Sequence, residues 1–252
     1  MEPATIALIA GLMFVAAALY SSVGHAGASA YLAIMALFAL PPEVMRPTAL
    51  VLNIIVSSIA TWRYWKSGLF DWPLFWPFAL TAVPAAAFAG GIHVPADVYK
   101  PLLGAVLLFS ALRLLWPKPI RALGVVKRPV VAAGLLVGLC VGLLSGAVGV
   151  GGGIFLSPIL LFLGWASPRT TSGTVAPFIL LVSASGLAGN LSSIGALPPE
   201  LPWWALAVVG GGLLGTWLGA KRLPPQGIVM ALGAVELVAA WKLLAPLAAG
   251  LV

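Results

Sequence analysis

The stretch Val130-Val131-Ala132-Ala133-Gly134-Leu135-Leu136-Val137-Gly138-Leu139-Cys140-Val141-Gly142-Leu143-Leu144 carries no charged side chain. With Ser145 as its one polar interruption the run continues to Ala147. A bilayer core of about 30 Å is crossed by about 20 apolar residues of helix, which rises about 1.5 Å per residue. A membrane barrel would show short alternating strands instead. The run therefore predicts a membrane-spanning helix. Comparable blocks cover 4–20, 28–40, 47–66, 74–92, 98–116, 153–165, 170–190, 202–219 and 226–246. Only 8% of the 252 residues are charged, and mean hydropathy is +1.11. A soluble domain carries about 25% charged residues, so the chain reads as an all-α integral membrane protein.

The net charge of +7 does not point to nucleic acid, because Lys and Arg accumulate in the cytoplasmic loops of membrane proteins. The single cysteine, Cys140, excludes an internal disulfide and is expected to be a small buried packing residue. Met1-Glu2-Pro3 lacks the basic region of a cleavable signal, so the first apolar block is expected to be retained as a span.

The second part of the chain repeats the first in order. Val23-Gly24 with Gly27 matches Val148-Gly149 with Gly152. Gly68 and Trp76 match Gly195 and Trp203, and Gly104-Ala105-Val106 matches Gly233-Ala234-Val235. The offset drifts by only a few residues, as changes in loop length produce. The domain reading is a first transmembrane repeat at 1–116, a cytoplasmic linker at 117–129 and a second repeat at 130–252.

Orientation follows from the basic residues. The linker holds Lys118, Arg121, Lys127 and Arg128, with Arg113 just before it, so it is placed inside. Alternation then puts Arg63, Lys66, Arg169, Lys221 and Arg222 inside as well, ten of the 13 basic residues. Arg46, Lys100 and Lys242 fall outside, and both termini are expected to be periplasmic. The two halves then have opposite topology, the inverted-repeat plan common among secondary transporters.

Two blocks, 28–40 and 153–165, are too short to span comfortably. Each follows a glycine break, Gly24-His25-Ala26-Gly27 and Gly149-Val150-Gly151-Gly152-Gly153. Each repeat is thus expected to hold a glycine-broken or re-entrant helix pair followed by three spans. A helix restarting after such a turn presents unpaired N–H groups and the positive end of its dipole. Two such ends meeting near the midplane could hold an anion without a buried arginine.

The Gly149–Gly153 turn followed by Ile154-Phe155-Leu156-Ser157-Pro158-Ile159-Leu160 resembles the signature of the sulfite exporter TauE/SafE family. Gly24-His25-Ala26-Gly27 and Arg46-Pro47-Thr48 resemble its degenerate first copy, with His25 and Ser29 departing from the stronger glycine pattern. The resemblance covers roughly 8–246. It implies a bacterial inner-membrane carrier for small sulfur oxyanions or organosulfonates, with export and proton coupling as the expected mode. Its partners are then a small anion, the lipid bilayer and protons, with no nucleic acid, no cofactor and no metal. A homodimer is left open.

The candidate substrate-binding residues are Gly24, His25, Gly27, Ser29, Thr48, Gly149, Gly151, Gly152, Gly153 and Ser172. Thr48 and Ser172 occupy matching positions near helix starts, where they would either donate to an oxyanion or cap the helix. Glu236, the one carboxylate well inside a span, and His25 are the candidates for proton coupling, since an intramembrane ionisable group is costly without a role. Glu236 matches Leu107 in the first repeat, so symmetry does not support it. Asn53, Ser57, Ser58, Ser183, Ser185 and Asn190 are expected to make interhelical hydrogen bonds. The glycines at 134, 138, 142 and 146, and at 211, 215 and 219, lie on single helical faces and read as packing seams. Trp62, Trp65, Trp72, Trp76, Trp203 and Trp204 read as an interfacial belt, and His93 as interfacial.

A passive anion channel would share the glycine-lined site. An intramembrane hydrolase built on His25 and Ser29 is a weaker alternative, as no Gly-x-Ser-x-Gly elbow is present.

Overall fold

The computed structural model describes residues 2–116, 127–219 and 226–248. Lys118, Arg121, Lys221, Arg222, most of the 117–129 linker and the outermost terminal residues lie outside that description.

Among the described residues ten α-helices follow one another: α1 (Pro3–Ser21), α2 (Ala28–Leu37), α3 (Pro42–Lys66), α4 (Trp72–Gly91), α5 (Ala96–Leu115), α6 (Val131–Val148), α7 (Gly153–Phe162), α8 (Pro168–Ala188), α9 (Leu201–Gly219) and α10 (Gln226–Ala248). A 3-10 turn, Leu191–Ala196, precedes α9. Among the described residues, seven helices are long and apolar enough to cross a bilayer. Their outward faces carry Leu8, Phe88, Leu136 and Leu206, all well exposed. In water such a surface would be untenable; in lipid it costs nothing. The chain is a multi-pass membrane protein.

Helices α3 and α8, the most buried of the candidate spans, pack against each other at the centre. Around them α4 lies on α6 and on α8, α1 on α9, and α5 on α10. The glycine seams explain two of these contacts. A Cβ on Gly138 would stand 2.3 Å from the Phe78 carbonyl oxygen, and one on Gly142 2.4 Å from that of Ala82. On α9, a Cβ on Gly211, Gly215 or Gly219 would meet the carbonyls of Phe14, Ala18 or Ser22 at 2.3, 1.9 and 2.0 Å. Backbone therefore lies on backbone, which only glycine permits.

The short helices are ten residues each, about 15 Å long. Both close in the same way. Leu40 N–H reaches Met35 O and Trp165 N–H reaches Leu160 O, at 3.0 and 2.8 Å, over left-handed Ala39 and Gly164. This is the Schellman closure, which favours glycine; the first short helix makes it with alanine.

Three expectations change. Helix α3 begins at Pro42, not Pro47, and runs through Pro47. Cys140 is exposed on the outer face of α6 rather than packed inside, because Gly138 and Gly142 take the inward face. Trp204 is fully buried, unlike Trp62, Trp65, Trp72 and Trp203, which are exposed near helix ends.

The loops sort by side. Arg128 pairs with Asp71 at 3.7 Å, and Lys127 N–H donates to Gly164 O at 2.9 Å. The end of the linker therefore meets the α3–α4 and α7–α8 connections on one face.

Candidate functional site

The two glycine breaks interrupt the chain by the same local geometry. Gly24 (φ +83°) and Gly149 (φ +88°) end α1 and α6 in left-handed conformation. His25 N–H donates back to Tyr20 O and Gly149 N–H to Ser145 O. Gly27 (φ +106°) and Gly152 (φ +79°) then open α2 and α7, and neither N-terminus receives a side-chain cap. A left-handed residue costs an L side chain about 1–2 kcal/mol, which is why glycine stands at these four places. Gly151 (φ +71°) adds a fifth.

Each break presses on the helix that follows the other. A Cβ on Gly24 would lie 2.6 Å from Ser172 Cα in α8, and one on Gly149 would lie 3.1 Å from Arg46 Cγ in α3. His25 closes the gap between them: Nε2 stands 2.9 Å from Ser157 Oγ and 3.2 Å from Gly153 O, both in α7. Gly151 faces the α3–α8 pair, where a Cβ would meet Asn53 Nδ2 at 2.6 Å and Ser183 Oγ at 2.7 Å. Asn53 Nδ2 donates to Ser183 Oγ at 3.3 Å. The hydroxyl of Ser145 and the Oδ1 of Asn53 are buried without a partner among the described residues. Neutral donors and acceptors thus gather around the second break, in a region of low dielectric where an unmade hydrogen bond is costly.

The remaining candidates separate into three places. Ser172 donates to Val23 O at 2.8 Å and so holds the first break. Thr48 is fully buried inside α3, with no hydrogen-bond partner among the described residues. Neither caps its helix: Pro41 and Ser167 stand at the N-cap positions of α3 and α8, with Ser167 accepting from Thr170 N–H. Ser29 faces the other way, into a cluster at α10. Glu236 Oε1 accepts from Tyr20 Oη at 2.5 Å and from Ser29 Oγ at 2.9 Å, while Oε2 is buried and has no partner among the described residues. Ser110 joins at 3.4 Å from both hydroxyls. The Tyr20 and His25 rings lie 6.2 Å apart, edge to face.

The model of the family described as sulfite exporter TauE/SafE matches residues 9–243. The chain belongs to that family. It is similar to the protein named "Probable membrane transporter protein y4hK" of Sinorhizobium fredii (strain NBRC 101917 / NGR234), at 39% identity over 92% of this chain and 95% of that one. No solved structure matches. As a TauE/SafE family member the protein is a membrane transporter of the sulfite exporter type.

In this TauE/SafE protein, reading the sequence alone missed Tyr20, Ser110, Ser145 and Ser157. Each is a common residue in an apolar run, and nothing but three-dimensional proximity distinguishes it. Ser157 carried one signal, its place inside the Gly149–Leu160 signature. His25 turns away from Ser29 toward Ser157, and its Nδ1 stands 3.3 Å from Val23 O rather than against a carboxylate. The pair named for a hydrolase is therefore not formed.

Proposed function

We propose that this protein is a secondary carrier that exports a small sulfur-containing anion, sulfite or an organosulfonate, across the bacterial inner membrane. The observation that carries the reading is the approach of the two glycine breaks, with His25 of the first against Gly153 and Ser157 of the second. Desolvating an oxyanion costs several kcal/mol unless fixed donors replace water. The uncapped N-termini of α2 and α7, together with Asn53 and Ser183, supply donors of no net charge, so the anion is held without being trapped. Gly24, Gly27, Gly149, Gly151, Gly152 and Gly153 let the backbone come close; Thr48 and Ser172 flank it.

The pairing of helices supports an inverted repeat, with halves 1–116 and 130–252. The contact of α1 with α9 answers that of α6 with α4, and α3 with α8 and α5 with α10 pair across the same pseudo-axis. Both termini are then periplasmic.

The protonatable group is Glu236, surrounded by hydroxyls of Tyr20, Ser29 and Ser110. Of the charged groups on the elements that pack there, Lys242 of α10 donates to Ala36 O and Leu37 O, and Arg113 stands on α5. No cation is within ion-pair distance of Glu236 among the described residues. A buried carboxyl so placed suits a proton carrier better than a fixed charge. His25 is the second candidate.

The test is binding of sulfite, sulfate, thiosulfate, taurine, sulfoacetate and simple carboxylates to purified protein, followed by flux in proteoliposomes. Sulfite or a sulfonate should bind, Gly27→Ala should weaken that binding, and accumulation should run uphill on a proton gradient. Flux that only dissipates an anion gradient would make the protein a channel.

A further inference from the structure

On the face opposite the linker, α3 begins beside the α4–α5 loop and the 3-10 turn, and between them lies a cavity of about 220 Å³. Its lining includes Arg46, His93, Tyr99, Asn190 and Ser192, with Glu43 among the other residues. Arg46 is only 7% exposed, and a guanidinium stays charged in proteins. Buried charges are ordinarily paired. Among the described residues Arg46 has no carboxylate partner. Its Nη2 donates to the carbonyls of Ala89, Gly90 and Gly146 at 2.8, 2.7 and 2.6 Å, and Nη1 to that of Ile92 at 3.2 Å.

Those carbonyls fix the side chain at the C-terminal ends of α4 and α6, where helix dipoles favour a cation. They supply no net negative charge. Nε–H and the second Nη1 hydrogen have no acceptor among the described residues. Beside the same space stands one neutral group able to donate, the Asn190 amide. Ser192 Oγ donates to Asn190 Oδ1 at 3.0 Å, which leaves the Asn190 amide nitrogen free for another acceptor. Glu43 is exposed and makes no ion pair with Arg46, so water and salt screen it while Arg46 is screened little.

We propose that this cavity is a second anion site, a vestibule in which Arg46 holds a small oxyanion of sulfur on its way to or from the glycine breaks. The proposal rests on the carrier reading given above. The vestibule abuts the second break directly: a Cβ on Gly149 would lie 3.2 Å from Arg46 O, and Tyr99 Oη donates to Val148 O at 3.0 Å. For an exported anion the vestibule is the exit: the neutral site gives the anion up to a net positive charge, from which it leaves to solution.

Selenate, a tetrahedral oxyanion with a strong anomalous signal, is the probe. In crystals of the full chain soaked with selenate, an anomalous peak should appear within hydrogen-bond reach of the Arg46 guanidinium. Arg46→Gln risks unfolding the protein, so the charge is offset at an exposed position instead. In solution Ser192→Asp should lower selenate affinity at least tenfold and erase the peak, while Ser192→Ala stays within about threefold of wild type. Gly27→Ala should leave the cavity peak in place. An empty cavity in wild-type crystals, or an equal response to Ser192→Asp and Ser192→Ala, would overturn the vestibule. A cavity peak with no anion binding attributable to the glycine breaks would instead sink the central site and leave the vestibule standing.

Discussion

The Tyr20 hydroxyl donates to Glu236 Oε1 across 2.5 Å, joining the end of the first helix to the middle of the last. Tyr20 is also the residue whose carbonyl receives the His25 N–H at the first glycine break. The state of the carboxyl and the geometry of the break therefore share one residue. Glu236→Gln keeps an acceptor for Tyr20 and Ser29 but cannot exchange a proton. We expect the variant to fold and insert as wild type, while sulfite accumulation in proteoliposomes no longer responds to an imposed pH gradient. A full response to the gradient in Glu236→Gln would remove Glu236 from the coupling.

Asn53 is predicted to act on the anion rather than on the fold. Its amide stands over Gly151, and its Oδ1 is buried without a partner among the described residues. Asn53→Ala should weaken sulfite binding about tenfold, the scale of one charge-assisted hydrogen bond of about 1.5–3 kcal/mol. Ser58→Ala is the comparison: that hydroxyl is exposed and only bonds Ile54 O of its own helix. Titration calorimetry on both variants decides it, and equal affinities would place the anion away from the α3–α8 pair.

The glycine seam on α6 makes a stability prediction with its own control. Gly138→Ala puts a methyl 2.3 Å from Phe78 O, a contact that only backbone movement can relieve. Overpacking of that kind typically costs about 1–3 kcal/mol, so the melting temperature should fall clearly. Gly11→Ala in α1 meets nothing within 4 Å and should leave the melting temperature unchanged or raise it, since alanine is the better helix former by about 1 kcal/mol.

Ala39 holds the left-handed position that Gly164 holds after the second short helix. Replacing it with glycine should relieve about 1 kcal/mol of backbone strain, and thermal unfolding of Ala39→Gly should shift upward. A downward shift would show that the alanine methyl, not the turn conformation, dominates there.

Orientation is open to a labelling experiment. Single cysteines at Ser67 and Ser192, in a Cys140→Ala background, should react with a membrane-impermeant maleimide from opposite sides. Ser192→Cys should label in intact cells and Ser67→Cys only after lysis. The reverse pattern would invert the assigned topology.

Much of this architecture is legible in the sequence itself. The 130–147 run, the spacing of four between glycines 134, 138, 142 and 146, and the positive-φ demand at Gly24, Gly27, Gly149 and Gly152 are local properties. Each depends on a residue and its near neighbours along a helix or turn, so a sequence states them directly. The family signature at Gly149–Leu160 is equally local. Which groups meet is another matter. That His25 turns to Ser157, that Tyr20 and Ser29 reach Glu236, that Asn53 and Ser183 meet over Gly151, and that Arg46 stands unpaired beside a cavity all follow from how α3, α8 and α10 pack across the bilayer. Apolar helices offer many nearly equivalent ways to pack, and burial by itself does not choose among them. Here the choice comes from backbone contact at the glycine seams, which sets helix against helix within a fraction of an ångström. The polar side chains that line the site then find their partners only in that one arrangement.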